Sequence, residues 1–134
     1  MDTKSILDGC DLSRGMLEET ARRGNCCYRQ LIKSEFEQSN CEHDKYDIVH
    51  ASGVFAPGQA PPSAFDEFLK LLKTGGHAIF TVRCGYYDSE EGEAHRKHLE
   101  ELVEKKQWEV VAKTEEDYLP KEGVSAYVFV MKKL

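Results

Sequence analysis

Hydrophobic positions along this chain follow two periods. In its middle, Phe65, Phe68, Leu69 and Leu72 recur at i, i+3, i+4 and i+7, which is one face of a helix. Ser63 followed three residues later by Asp66 has the form of an acidic capping box, so the helix is predicted to begin there. It is predicted to run to residue 73, where Lys73 suits the negative end of the helix dipole and Gly75-Gly76 stops it. The next run, residues 78–82, is short, apolar and partly β-branched, as a buried strand is. A strand at 46–50 precedes the helix, so the pattern reads strand, helix, strand.

The same periods organise the remainder. Residues 6–10 and 28–33 are predicted strands. Between them Ser13 is a helix N-cap, Met16, Leu17 and Ala21 form an inner face up to Arg23, and Gly24 is the stop. Residues 39–45 are polar and read as a loop; 56–62 hold three prolines and a glycine and read as a rigid one. After a further loop at 84–92, a helix is predicted over 93–106, with Leu99, Leu102 and Val103 inward and His95, Arg96, Glu100 and Glu104 in solvent. Residues 108–113 are a strand, 115–123 a polar connection, and 126–131 a buried or central strand. The last two strands, close in sequence, form an antiparallel pair. Alternation of such elements places the chain in the α/β class.

Length and composition narrow the picture. At 134 residues the chain fits a single domain, 1–134. An apolar content of 40%, with six Phe, six Tyr and one Trp, supports a core and argues against disorder. A net charge of −6 argues against a sequence-independent nucleic-acid partner, since phosphate attraction needs a basic surface. No apolar run is long enough to span a membrane and no signal peptide is present, so no membrane partner and a cytoplasmic location are expected. Cys10, Cys26, Cys27, Cys41 and Cys84 show no C-x-x-C spacing and read as reduced thiols. His95 and His98 fall at i, i+3 without a matching ligand pair, so a solvated helix face is the simpler reading than zinc.

Several segments resemble class I S-adenosylmethionine-dependent methyltransferases. YDIVHASGVF, the helix and LLKTGGHAIFTVR are similar to that family's fourth strand, following helix and fifth strand. Asp8-Gly9-Cys10-Asp11-Leu12-Ser13-Arg14-Gly15-Met16-Leu17 resembles its second strand and next helix, of the form G-x-D-x-S-x-x-M-L. GVFAPGQAPPSAFDEF and EELVEKKQWEVVAKT are closer to the methyltransferase-like subgroup of the Williams–Beuren chromosomal region. The resemblance implies a Rossmann-like three-layer sandwich whose sheet is mostly parallel with an antiparallel C-terminal strand. The family's first strand and its D-x-G-x-G-x-G loop have no counterpart upstream of residue 8, so the first strand–helix unit is expected to be missing. Loss of that central strand leaves open sheet edges, through which self-association is expected.

By the same resemblance, S-adenosylmethionine is the cofactor and a small molecule or protein is the methyl acceptor. Asp11 is the implied acceptor of the ribose hydroxyls, Leu12 lies against the adenine, and Glu35 accepts the adenine amino group. His50, with Ala51, Ser52 and Gly53 after the fourth strand, faces the transferred methyl, and its imidazole is a candidate general base. A histidine packed at a strand end is the competing structural reading. The amino-methylating motif Asn-Pro-Pro-Tyr is absent, as is a P-loop. Two functions stay open: a methyltransferase homologue, inactive or incomplete in this form, and a non-catalytic methyltransferase-like binding or regulatory protein.

Overall fold

The computed structural model describes residues 8–11, 30–33, 43–55 and 60–134. The chain divides into two compact units, residues 1–41 and 42–134.

In the first unit, β1 (Asp8–Asp11) pairs in parallel with β2 (Gln30–Lys33), from Asp8 opposite Gln30 to Asp11 opposite Lys33. Parallel neighbours need a connection of a dozen or more residues, and residues 12–29 separate the two strands in sequence. The helix expected over 13–23, with Leu12 and Glu35, lies outside the described residues.

The second unit is built on a four-stranded sheet in the order β3-β4-β6-β5. Its elements are β3 (Tyr46–Phe55), α1 (Ala64–Leu71), β4 (Leu72–Arg83), α2 (Cys84–Tyr87), α3 (Glu93–Glu104), β5 (Trp108–Leu119) and β6 (Val124–Lys133). β3 and β4 are parallel, whereas β6 is antiparallel to both β4 and β5. The expected terminal antiparallel pair is therefore present, with β6 central. In the four-stranded sheet β3, β4 and β5 run one way and only the C-terminal strand β6 is reversed, as expected, although its insertion between β4 and β5 makes the pairs on both its sides antiparallel.

An aromatic cluster forms the core between sheet and helices. Phe80 of β4 lies 5.2 Å from Phe65, 5.5 Å from Phe55, 6.0 Å from Phe68 and 5.2 Å from Phe129, centroid to centroid. Trp108 is 1% exposed, and its indole N–H donates to the Leu99 carbonyl at 3.3 Å, tying β5 to α3. Each such side chain contributes about 1.5–3 kcal/mol by leaving water. The helical period expected for Phe65, Phe68 and Leu69 is met, all three being buried; Leu72, the fourth position, is buried too but is the extended first residue of β4.

The ends of α1 differ from expectation. Ser63 has helical dihedrals and makes no side-chain cap; the first turn is closed instead by Ala64 N–H on the Pro61 carbonyl and Phe65 N–H on Pro62. Pro61 and Pro62 pre-set that turn, which leaves Asp66 available to accept from His98 Nε2 at 2.8 Å. At the other end the helix stops at Leu71, before Lys73. Its last carbonyls, on Lys70 and Leu71, accept the N–H groups of Asp44 and Lys45, so the chain entering β3 serves as the cap. Lys73 pairs with Asp47 at 3.5 Å. Gly75, at φ +85°, makes the predicted glycine turn inside the residues assigned to β4.

Three further expectations are corrected. Residues 115–119 belong to β5 rather than to a connection; the turn is confined to Pro120–Glu122 and Gly123. The segment reads as loop because an edge strand in solvent has no apolar side to show. His95 is 5% exposed, not solvated, and Arg96 donates to the carbonyls of Tyr87 and Ser89. The 84–92 loop contains the short helix α2.

Candidate functional site

Ligands of open α/β sheets bind beyond the carboxyl ends of parallel strands. In the second unit that place is the end of β3 and β4, and two interruptions of the ladder meet there. Regular pairing runs from Ile48 opposite His77 to Ala51 opposite Phe80, and resumes only at Phe55 opposite Val82. Four steps on β3 thus match two on β4, and Ser52 to Val54 bulge out. Gly53 turns this bulge at φ +70°, a left-handed conformation that a side chain disfavours, and its N–H donates to Thr81 Oγ1 at 3.1 Å.

The second interruption is in β5. Asp117 pairs with Ser125 and Leu119 with Val124, leaving Tyr118 as the extra residue. A bulge re-aims the side chain that it carries. The Tyr118 hydroxyl lies 2.9 Å from where a Cβ on Gly53 would be, although β5 and β3 are opposite edges of the sheet. The phenol therefore reaches across the carboxyl end of β4 and the amino end of β6. The guanidinium of Arg83, the last residue of β4, lies over the Tyr118 ring at 5.8 Å. Gly53, Thr81, Arg83 and Tyr118 together form the mouth of the crevice.

Next to Arg83, the Cys84 thiol is free, and its pKa is raised by burial and then by the carboxylates of Glu115 and Asp88. A thiol held protonated is a poor nucleophile. On the helix-covered side, Lys113 Nζ rests 4.4 Å from the centroid of Tyr127 and 5.1 Å from that of Tyr87. Tyr127 donates its hydroxyl to Asp88 at 2.7 Å, and that bond pushes its pKa up to about 12. Tyr86 and Tyr87 are also raised, mainly by burial. The mouth thus offers hydrogen-bond donors and a cation, and no activated nucleophile.

The residues nominated by sequence are distributed as follows. Asp11 is the last residue of β1, at the carboxyl end of a parallel strand, in the first unit. Leu12 and Glu35 lie outside the described residues. His50 is exposed and within β3, opposite Ile79; the strand continues to Phe55, so the ladder breaks near Gly53 rather than directly after His50. Sequence reasoning missed Tyr118 and Arg83. Tyr118 is a lone aromatic in an acidic stretch, and nothing in its neighbours signals a bulge. A groove of about 330 Å³ lies elsewhere, lined by Pro62, Asp66, Lys97, His98 and Glu101 among others, on the helices rather than at the strand ends. Among the described residues no group of His, Cys, Asp and Glu is placed to hold a metal.

The profile of a family described as a methyltransferase domain matches residues 2–80, more than half of the chain. Among solved structures, the N-methyltransferase NodS from Bradyrhizobium japonicum WM9 is similar with a TM-score of 0.68 at 16% identity, over 96% of this chain and 73% of that one. Geranyl diphosphate methyltransferase, solved in complex with SAM, gives 0.68 at 10% identity, over 96% and 69% of the two chains. A SAM-dependent methyltransferase from Thermotoga maritima gives 0.62 at 19%, over 96% and 72%. At these identities the likeness shows the fold, a Rossmann-like α/β sandwich. No curated protein matches the chain.

Proposed function

The chain belongs to the methyltransferase domain family, and on that premise we propose that it is an S-adenosylmethionine-dependent methyltransferase homologue whose acceptor is a small molecule or a protein. The family match carries this reading, because residues 2–80 span both Asp11 and the break in β3. When bound, S-adenosylmethionine supplies a methyl group on a sulfonium, whose thioether is already a good leaving group. The protein's share is then positioning and exclusion of water. A chain with its one described thiol held protonated suits that requirement.

We assign Asp11 to the ribose hydroxyls; its place as the last residue of a parallel strand supports this reading, since α/β sheets bind ligands beyond such ends. Leu12, Glu35 and His50 keep the contacts implied by resemblance. The finer assignment is to the Williams–Beuren methyltransferase-like subgroup, as one cytoplasmic domain. These 134 residues contain no D-x-G-x-G-x-G loop. In such a loop glycines let backbone amides approach the cofactor. Lacking two or three hydrogen bonds to charged groups, at about 1.5–3 kcal/mol each, weakens binding by roughly two to three orders of magnitude or more. The chain alone is therefore a weak cofactor binder.

Calorimetric titration with S-adenosylmethionine is expected to show no saturation in the micromolar range for the 134-residue chain. A fusion carrying the strand, glycine loop and helix ahead of Met1 should restore it, and Asp11→Ala should abolish it again. Micromolar binding by the chain alone would overturn the weak-binding reading. No binding by a folded fusion would favour the non-catalytic binding or regulatory protein instead.

A further inference from the structure

Arginines in an acidic protein ordinarily find an oxygen. Of the two described here, Arg96 donates to the carbonyls of Tyr87 and Ser89. Lys70, Lys97, Lys105 and Lys133 each meet a carboxylate. Arg83 meets neither carboxylate nor carbonyl among the described residues; its partner is the face of Tyr118. Glu116, in the same cross-strand row through Ala126, forms no ion pair with it. A ring contact is electrostatic and consumes none of the five guanidinium N–H donors. A planar fork of unused donors matches a carboxylate or phosphate bidentately.

Its position adds the second argument. Arg83 ends β4, beside the bulge at Gly53, and the ring that holds it is presented by an independent bulge across the sheet. Two ladder interruptions converge on one guanidinium at the place where α/β sheets bind ligands. We propose that Arg83 is the anion-recognition residue of this mouth, that Tyr118 positions its guanidinium, and that the methyl acceptor is a small molecule bearing a carboxylate or phosphate. The identification of that anion as a methyl acceptor rests on the methyltransferase reading above. The anion site itself does not.

Arginine Nε–Hε resonances of the full chain provide the test, with Arg83 assigned from its loss in Arg83→Gln. Sodium acetate, inorganic phosphate and methylammonium chloride are titrated at constant ionic strength. Arg83 should shift saturably with acetate or phosphate, at about millimolar Kd, and not with methylammonium, while Arg96 stays in place. The anion that saturates names the acceptor's charged group. Tyr118→Ala should weaken the affinity at least about threefold, whereas Tyr118→Phe, which keeps the ring, should retain it. A merely structural Tyr118 would not give that split. Linear shifts of Arg83 no larger than those of Arg96, or unchanged binding in a folded Tyr118→Ala, would overturn the proposal. Calorimetry of the glycine-loop fusion with S-adenosylhomocysteine reports separately on the methyltransferase reading. Cofactor binding without anion saturation sinks only the Arg83 site; anion saturation without cofactor binding sinks only the acceptor's identity.

Discussion

Tyr127 shows how one hydrogen bond sets a residue's chemistry. Its hydroxyl donates to Asp88 at 2.7 Å, and ionising the phenol would place two negative charges at that distance. The folded-state pKa is consequently about 12, against an ordinary 10.0. Raised in this direction, it favours the neutral phenol in the folded state. The stability gained is complete below the unfolded value and is lost as pH rises from about 10 to about 12. Phenolate absorbance should therefore show tyrosine ionisation extending well above the ordinary range, with burial contributing at Tyr86 and Tyr87, and Asp88→Asn should bring the Tyr127 part of it down. An unchanged titration in Asp88→Asn would remove this account. Cys84 shares the carboxylate environment of Asp88 and Glu115, so the same substitution should lower its thiol pKa too.

At the scale of elements, α3 is fixed by polar contacts at its first turn and by apolar ones later. His95 Nε2 is 2.9 Å from the Ala60 carbonyl, which can only accept, so that nitrogen carries the proton. In the neutral imidazole Nδ1 is then the acceptor for the Tyr86 hydroxyl at 3.1 Å. One imidazole thereby joins α3 to the chain entering α1 and to α2. His95→Leu keeps the volume yet strands a carbonyl and a hydroxyl, so it should cost about 1–3 kcal/mol in urea denaturation. A loss below about 0.5 kcal/mol would mean that water replaces both bonds. Further along, Leu99 and Leu102 are buried as the helical period requires. β5 handles its exposed edge differently: an extra residue at Val111 bulges the strand, and Glu109, Lys113, Glu115 and Glu116 make it unattractive to another strand.

Across the second unit, stability should follow position in the sheet. β4 and β6 are each paired on both sides, whereas β3 and β5 are its edges. Phe80, Phe129 and Met131 on the central strands are at most 1% exposed, while Ile48 on β3 and Val111 on β5 are each 53% exposed. Amide exchange should be slowest in β4 and β6, since their opening requires most of the core to come apart. Outward-facing amides of β3 and β5 should exchange faster, and a β3 as protected as β4 would show that a further strand covers its edge. Gly53 and Tyr118 lie at the ends of these edge strands, where opening is easiest. The candidate mouth thus draws on the least protected strands of a sheet whose centre is rigid.

Local patterning by itself determined the order of elements and most of the core. Phe65, Phe68 and Leu69 declared a helix because burial on one face forces a 3.6-residue period, and residues 78–82 and 126–131 declared strands because they are short apolar runs, none of whose side chains is left fully exposed. The family was legible too, through the order of its motifs. Tertiary structure decided whatever depended on a partner distant in sequence. The stretch 115–119 becomes strand only because β6 supplies its hydrogen bonds, and His95 is buried only because Ala60 and Tyr86 meet it. Ser63 yields its capping role to two prolines, and α1 is ended by Asp44 and Lys45, more than twenty residues earlier in the chain. Above all, Gly53, Arg83 and Tyr118 come together through two bulges on opposite edges of one sheet. A bulge leaves no period in the sequence, because its single extra residue is defined by the strand that it fails to pair with.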